Sequence, residues 1–186
     1  MIYYIADLHL GHTNIIRHCN RPYTTIEEMD SSLITNWNSR ISNNDIVYIV
    51  GDMMFRIAIH PEQYLLRLNG KKHLIVGNHD KSWMKLIKLP LWFETVSSMV
   101  SINDAGYLIT LCHYPMMTWP GSKNAFMVYG HIHNNTDADF WPLIAKSDRM
   151  LNAGVDINNF APVTLAEMIE NNKRFKAMNN GDGCVL

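Results

Sequence analysis

Three cysteines, Cys19, Cys112 and Cys184, are scattered without a Cys-x-x-Cys pair among 186 residues. Neither a disulfide framework nor a cysteine-based zinc site is expected, and a reducing compartment is. Cys112, beside His113, reads first as a small buried thiol at a strand end and second as a nucleophile. No apolar stretch approaches the roughly 20 residues of a membrane span. Met1 to Asp7 has no basic start and meets a carboxylate too early for a signal peptide, so a cytoplasmic chain without a membrane role is expected. Charge of one sign is also missing: the formal net charge is -1, which gives no reason to expect a general nucleic-acid or membrane-surface binder. Repeats, low-complexity tracts and Gly/Ser linkers are absent, so residues 1–186 are read as a single domain whose last residues, 179–186, form a loose tail. Nothing points to an obligate protein partner.

Hydrophobic content is 47%, enough for one core. Ile2 to Ala6, Ile46 to Val50 and Leu74 to Val76 are apolar without alternation, as in strands buried on both faces. Thr25 and Glu28 offer a capping box for a helix carrying Met29, Leu33, Ile34, Trp37 and Ile41, which makes a β-α-β crossover. Pro61 opens another helix and Asn69-Gly70 ends it. After Pro90 come strand-like runs, Val96 to Ile102, Tyr107 to Cys112 and Phe126 to Tyr129, with little helix between them, which suggests a second and more antiparallel sheet. Met150 to Val155 reads as a last strand, and Thr164 with Glu167 caps a final helix. Two sheets packed face to face with outer helices account for this order.

Polar residues of ligand type follow these runs: Asp7-Leu-His9, Gly51-Asp52, Gly77-Asn78-His79-Asp80, His113 and Gly130-His131-Ile-His133. Each alone is an ordinary turn as readily as a site. Asp7 and His9 stand just past a strand end, a glycine before Asp52 lets the backbone turn sharply, and two imidazoles two residues apart share a face in extended chain.

In this order the five signatures resemble the calcineurin-like metallophosphoesterase superfamily, across residues 7 to 133, and Asn152-Ala-Gly-Val-Asp156 with Ala-Pro162-Val-Thr-Leu resembles the closing segment of its small bacterial and phage members. The resemblance implies an α/β fold, a four-layer α-β-β-α sandwich of two mixed sheets flanked by helices, with the metals at the strand ends. It implies that Asp7, His9 and His133 hold one divalent metal, Asn78, His113 and His131 a second, and that Asp52 bridges them. Mixed nitrogen and oxygen donors suit Mn first, with Fe, Zn, Ni or Co as alternatives, better than Ca or Mg. Such a pair of metals would lower the pKa of a shared water towards about 7 and so supply a metal-bridging hydroxide for attack at phosphorus. His79, beside Asn78 and not a ligand in the family, is the expected general acid.

Phe55 departs from the protein-phosphatase branch, which has there the aspartate that orients the acid histidine; Asp80 is the available substitute, or His79 goes without a charged orienter. Arg56 falls where that branch has a phosphate-binding arginine, and His12 where small members have a further histidine; both are substrate-side candidates, with a solvated arginine and a packing or surface histidine as the alternatives. His18, His60 and His73 read as surface or satisfied core residues, and Arg17 and Arg21 as ordinary solvated charges. Tyr114, Trp119 and Lys123, and Phe140 with Trp141, flank the candidate ligands; these rings either stack on a nucleotide base or anchor their loops, the latter being the first expectation. The function expected is phosphate-ester hydrolysis, diesters ahead of small monoesters, with a nucleotide or nucleic-acid fragment as first substrate to test. A non-catalytic, metal-binding interaction scaffold of the same fold is the alternative of another class.

Overall fold

The computed structural model describes residues 1–179. Its first sheet holds four strands in the order β1 (Ile2–Ile5), β2 (Ile46–Ile49), β3 (Lys71–Ile75) and β4 (Thr95–Ser97), all parallel. The connections are helical, with α1 (Thr13–His18) and α2 (Ile26–Arg40) before β2, α3 (Pro61–Leu65) before β3, and α4 (Lys81–Met84) before β4. Thr25 caps α2 by accepting from the Glu28 backbone N–H at 3.2 Å, while the Glu28 carboxylate reaches back to Thr24 N at 2.8 Å. That helix turns Met29, Leu33, Ile34 and Trp37 inward, as the 3.6-residue period requires.

The second sheet is mixed: β5 (Met99–Asp104) pairs antiparallel with β6 (Tyr107–Cys112), but β6, β7 (Phe126–Tyr129) and β8 (Met150–Asn152) are parallel. It is therefore the more antiparallel of the two sheets, as expected, but through its β5–β6 pair alone. The run Val96 to Ile102 is also divided. Ser98 lies between β4, which ends the first sheet, and β5, which begins the second. The last strand is shorter than expected, because Val155–Ile157 turns into a 3-10 helix. Outside this sheet lie α5 (Trp141–Ala145) and α6 (Leu165–Asn179), the latter capped by Thr164 and Glu167. Asn179 closes α6, and the remainder of the expected loose tail, 180–186, lies outside the described residues together with Cys184.

Alternation along β1 shows how two sheets become four layers. Tyr3 and Ile5 face α2 with Val47, Ile49, Leu74 and Trp37, whereas Tyr4 and Ala6 face the second sheet with Ile109, Leu111, Val128 and Leu151. A third apolar cluster, Met127, Tyr129, Trp141 and Ile144 among it, lies between the second sheet and α5. The two sheets are stitched where Ala6 N–H donates to Ala153 O at 2.9 Å and Val155 N–H to Ala6 O at 3.1 Å. This seam holds the ends of β1 and β8 in fixed register, one residue before Asp7. The α/β sandwich with helices on both outer faces agrees with the expected fold. No described helix is long and apolar enough to cross a membrane.

Candidate metal centre

The ligand-type residues converge where β1, β2, β3, β6 and β7 end. Asp7, His9, Asp52, His131 and His133 all adopt left-handed backbone, with φ of 56°, 52°, 52°, 72° and 51°. Each such residue costs on the order of 1 kcal/mol or more, and a cluster of them marks a place where the surroundings impose a conformation for function. Main-chain bonds impose it here: Asp7 N–H donates to Gly51 O and His9 N–H to Asp52 O, each at 3.0 Å, and both Asp7 carboxylate oxygens accept from His131 N–H at 3.0 and 2.9 Å.

Glycine is required at two contacts. A Cβ on Gly51, itself at φ 86°, would lie 2.2 Å from His113 Nδ1, and one on Gly77 would lie 2.3 Å from Asp52 Oδ1. Gly51 and Gly77 are thus seats for a ligand side chain from another loop as well as turns.

Among the candidate ligands two groups of donors result. In Asp7, His9 and His133, and again in Asp52, His113 and His131, the ligand atoms lie within 4.8 Å of one another. Asn78 joins the second through its Oδ1, 3.0 Å from His113 Nε2. Asp52 Oδ2 stands between them, 3.6 Å from His9 Nε2 and 3.4 Å from His113 Nε2. All seven candidate ligands are therefore assembled in one place, where each could hold a cation.

The set fits divalent cations on the hydrogen bonding alone. Val50 O can only accept, so His113 Nδ1, 2.9 Å away, carries a proton, and Nε2 is the nitrogen turned to the oxygens of Asn78 and Asp52. A divalent cation among the three would take the place of the proton on that Nε2. His9 Nε2 is buried with no hydrogen-bond partner, the state of a nitrogen kept for a metal. Burial and the charge of His133 lower the His9 pKa to about 2, so it offers a lone pair at neutral pH. Burial pushes Asp7 up to about 6, with the Asp52 charge adding to the rise against His133 and His113. On Asp52 burial also acts upward, but the His113 hydrogen bond and charge outweigh it and hold the carboxyl at about 2.

Residues the sequence did not single out as site residues support this centre from below. Arg21, expected as an ordinary solvated charge, is buried; its guanidinium donates to Leu8 O at 2.9 Å and Asp7 O at 2.7 Å, and pairs with Asp156. Asp156 in turn accepts from His133 Nδ1 at 2.9 Å, leaving His133 Nε2 for the metal side. Asp156 lies in the closing segment, Asn152 to Asp156, that resembles the small family members, whereas Arg21 has no motif around it. Asp80 is not the substitute orienter of His79. Its carboxylate is buried and already accepts from Asp52 N, Met53 N, Gly77 N and Trp83 Nε1 at 2.8–2.9 Å.

His79 is held otherwise. Its backbone N–H donates to Asp52 Oδ1 at 2.9 Å, and its ring packs 4.1 Å from the ring of Phe55, with Nε2 3.9 Å from Asp52 Oδ2. Phe55 thus fills, with an apolar face, the place of a charged orienter. His12 is buried against the other edge of Phe55 and reaches His9, Nδ1 to Nδ1 at 3.3 Å, while Arg56 is exposed with its guanidinium 5.1 Å from the Phe55 ring. Cys112 is half-buried rather than buried, and both Cys112 and Cys19 are free thiols. A cleft of about 1520 Å³ opens over His9, His79, His131 and His133 and includes His12 and Arg56.

Comparison with known proteins gives the family and agrees with the fold. A family profile described as calcineurin-like phosphoesterase matches residues 1–164. The uncharacterized protein MJ1445 of Methanocaldococcus jannaschii is 34% identical over 184 residues, covering 96% of this chain and 97% of that protein. The gene 66 protein of Mycobacterium phage L5 is 27% identical, over 83% of this chain and 86% of its own. Among solved structures, the protein of unknown function AQ665 from Aquifex aeolicus has the same fold, with a TM-score of 0.71 over 91% of this chain and 98% of that one at 24% identity. On the profile match over most of its length, together with the relative at 34% identity, the chain belongs to the calcineurin-like phosphoesterase family.

Proposed function

We propose that the protein is a phosphoric diester hydrolase dependent on two divalent transition-metal ions, Mn first among the candidates. Asp7, His9 and His133 would hold one ion, Asn78, His113 and His131 the other, with Asp52 shared between them. The single observation that carries the reading is Asp52 Oδ2 standing 3.4 and 3.6 Å from one imidazole Nε2 of each group, which suits one carboxylate serving two cations. Two such ions would supply Lewis acidity for the phosphoryl oxygens and lower the pKa of the attacking water.

The chain's own residues supply the rest. His79, half-exposed in the cleft with its Nε2 3.9 Å from Asp52 Oδ2, protonates the leaving alkoxide. Arg56 reaches a non-bridging phosphoryl oxygen from the same side, its planar fork suited to two oxygens at once. His12, wedged between His9 and Phe55, holds the ring of His9 in place rather than contacting substrate first. The cleft extends well beyond the donor cluster, which favours a diester carrying two organic arms over a small monoester. The free thiols of Cys19 and Cys112 agree with a reducing, cytoplasmic setting.

The test is a metal-reconstituted activity panel. Protein loaded in turn with Mn, Ni, Zn or Mg is assayed against nitrophenyl mono- and diesters, with metal content measured for Asp52→Ala. Diester turnover that needs a transition metal, and loss of at least one ion in Asp52→Ala, are expected. Turnover of monoesters alone would favour the phosphatase reading, and metal binding without any turnover the scaffold.

A further inference from the structure

The cleft above the metal centre is larger than a phosphoryl group needs, and its lining is informative about the remainder of the substrate. At about 1520 Å³ it exceeds the volume of a typical small-ligand pocket. Away from the histidines its walls come from the segment after β6 and from the start of α5. Four large apolar side chains stand exposed there, Tyr114 at 47%, Met117 at 78%, Phe140 at 43% and Leu143 at 55%. Exposed apolar side chains gathered in one cleft mark a ligand surface more often than they do when scattered.

The neighbouring tryptophans are occupied otherwise. Trp119 Nε1 donates to Ala125 O at 3.2 Å, its ring packs on the cluster of Met127 and Tyr129, and Trp141 lies within that cluster. They anchor their loops, as expected of them, and so leave Tyr114 and Phe140 presented to the cleft. Charge narrows the occupant further. Among the described residues lining the cleft, Arg56 is the one arginine and there is no lysine, while Asp137 is the one carboxylate. A groove that tracks a nucleic-acid strand carries several cations, because each phosphate needs a neutralising partner. Asn14 and Asn20, with the Oδ1 of Asn134 and the Nδ2 of Asn135 left after those two side chains bond Cys19 O and Asp137 N, instead give the lining neutral donors and acceptors.

We propose that the cleft takes a small phosphodiester with one phosphate and one uncharged heteroaromatic arm, the ring lying on Phe140 and Met117, and that a nucleic-acid strand is excluded by the want of cations. The proposal rests on the hydrolase reading above and specifies its substrate. One guanidinium, Arg56, matches one phosphate. The asparagine rim matches the hydrogen-bonding edge of a nucleobase-like ring, and the apolar wall matches its face.

The experiment uses Mn-loaded full-length protein and three probes, namely thymidine 5′-(4-nitrophenyl) phosphate, methyl 4-nitrophenyl phosphate and a short oligothymidylate. The first two share a leaving group and differ only in the arm. The nucleoside diester is expected to have the higher kcat/KM, Phe140→Ala and Met117→Ala each to erode that advantage by roughly tenfold while leaving the methyl diester unchanged, and the log–log salt slope to be no steeper than about -0.7, the value for one phosphate. Binding of thymidine 5′-monophosphate by calorimetry is measured alongside and is expected to weaken in Phe140→Ala. A better kcat/KM for the oligothymidylate with a several-fold steeper salt slope would overturn the proposal, as would equal slowing of both diesters by Phe140→Ala or no binding of the monophosphate. Retained, Phe140-dependent binding without turnover of any probe would uphold the ring site and refute the hydrolase reading instead.

Discussion

Arg21 and Asp156, 135 residues apart in the chain, close on each other in a two-pronged pair, Nε to Oδ1 at 2.8 Å and Nη2 to Oδ2 at 3.1 Å. Neither side chain exposes more than 1% of its surface. The same guanidinium holds the carbonyls of Asp7 and Leu8, and the same carboxylate holds His133, so one buried pair fixes both sides of the Asp7, His9 and His133 group. Burial raises the Asp156 pKa, but the His133 hydrogen bond and the Arg21 charge outweigh it and keep the carboxyl ionised.

Asp156→Asn is therefore expected to leave the protein folded while lowering affinity for the first metal by about 10- to 100-fold, read by chelator competition. Arg21→Met goes further, since it strands a buried carboxylate and two main-chain carbonyls, and should cost about 3–5 kcal/mol in urea unfolding. Unchanged metal affinity in Asp156→Asn would mean that the pair holds the fold and has no part in presenting His133.

Asp80 makes a separate prediction because its two oxygens accept four N–H groups. In Asp80→Asn the new amide must turn its NH₂ toward two of those donors, losing two charge-assisted bonds. A loss of about 3 kcal/mol or more is expected, measured by denaturation of the metal-free protein. Because these bonds hold Asp52 and Gly77, metal retention should fall as well. A variant of wild-type stability would contradict the assignment of Asp80 as a tie between the ends of β2 and β3.

What could be read from the sequence and what could not have different physical origins. β1 and β2 were legible because buried strands leave unbroken apolar runs, whereas of β3 only Leu74 and Ile75 were, since Lys71, Lys72 and His73 open that strand with polar side chains; the candidate ligands were legible because their residue types follow those runs directly. The division at Ser98 was not, since Thr95–Ser97 and Met99–Asp104 form one β-prone stretch and only tertiary pairing sends its halves to different sheets. Nor was the parallel pairing of β6, β7 and β8, whose connections contain little helix before Trp141. Arg21 was invisible for another reason: its function lies in contacts with main-chain carbonyls, and any carbonyl is the same in sequence. Of the two readings offered for Asp80 and His79, adjacency in Gly77-Asn78-His79-Asp80 suggested the one in which Asp80 orients His79, while the fold turns that carboxylate onto four N–H donors and leaves the other.

His12 offers a test by pH. Burial lowers its pKa from the ordinary 6.5 to about 4, with the His79 and Arg56 charges acting the same way. Below 6.5 the unfolded chain binds a proton that the folded protein refuses until pH falls to about 4, so this residue makes stability drop as pH is lowered through that window and adds no further change below it. His12→Gln removes the titration. Other titrating groups are common to both proteins, so the difference in their unfolding free energies, followed from pH 7 to pH 4 in chelator, isolates His12. The stability of the wild type relative to the variant should decline across that range, and a flat difference would show that His12 titrates normally.

The general-acid assignment for His79 rests on where its ring can reach. It borders the cleft, packs on Phe55, and approaches a carboxylate oxygen no closer than 3.9 Å in its contact with Asp52. A group placed to donate a proton to a departing oxygen matters in proportion to how badly that oxygen needs one. An alkyl diester leaves as a strongly basic alkoxide, so His79→Ala should slow it by about 10² to 10⁴. Nitrophenolate departs without protonation, so a nitrophenyl diester should be slowed far less, and the variant's rates should depend more steeply on leaving-group pKa than those of the wild type. Metal content should be unchanged, because the imidazole of His79 belongs to neither donor group. Equal slowing of alkyl and nitrophenyl diesters with both metals retained would remove His79 from the proton-transfer step and make it a substrate-positioning residue.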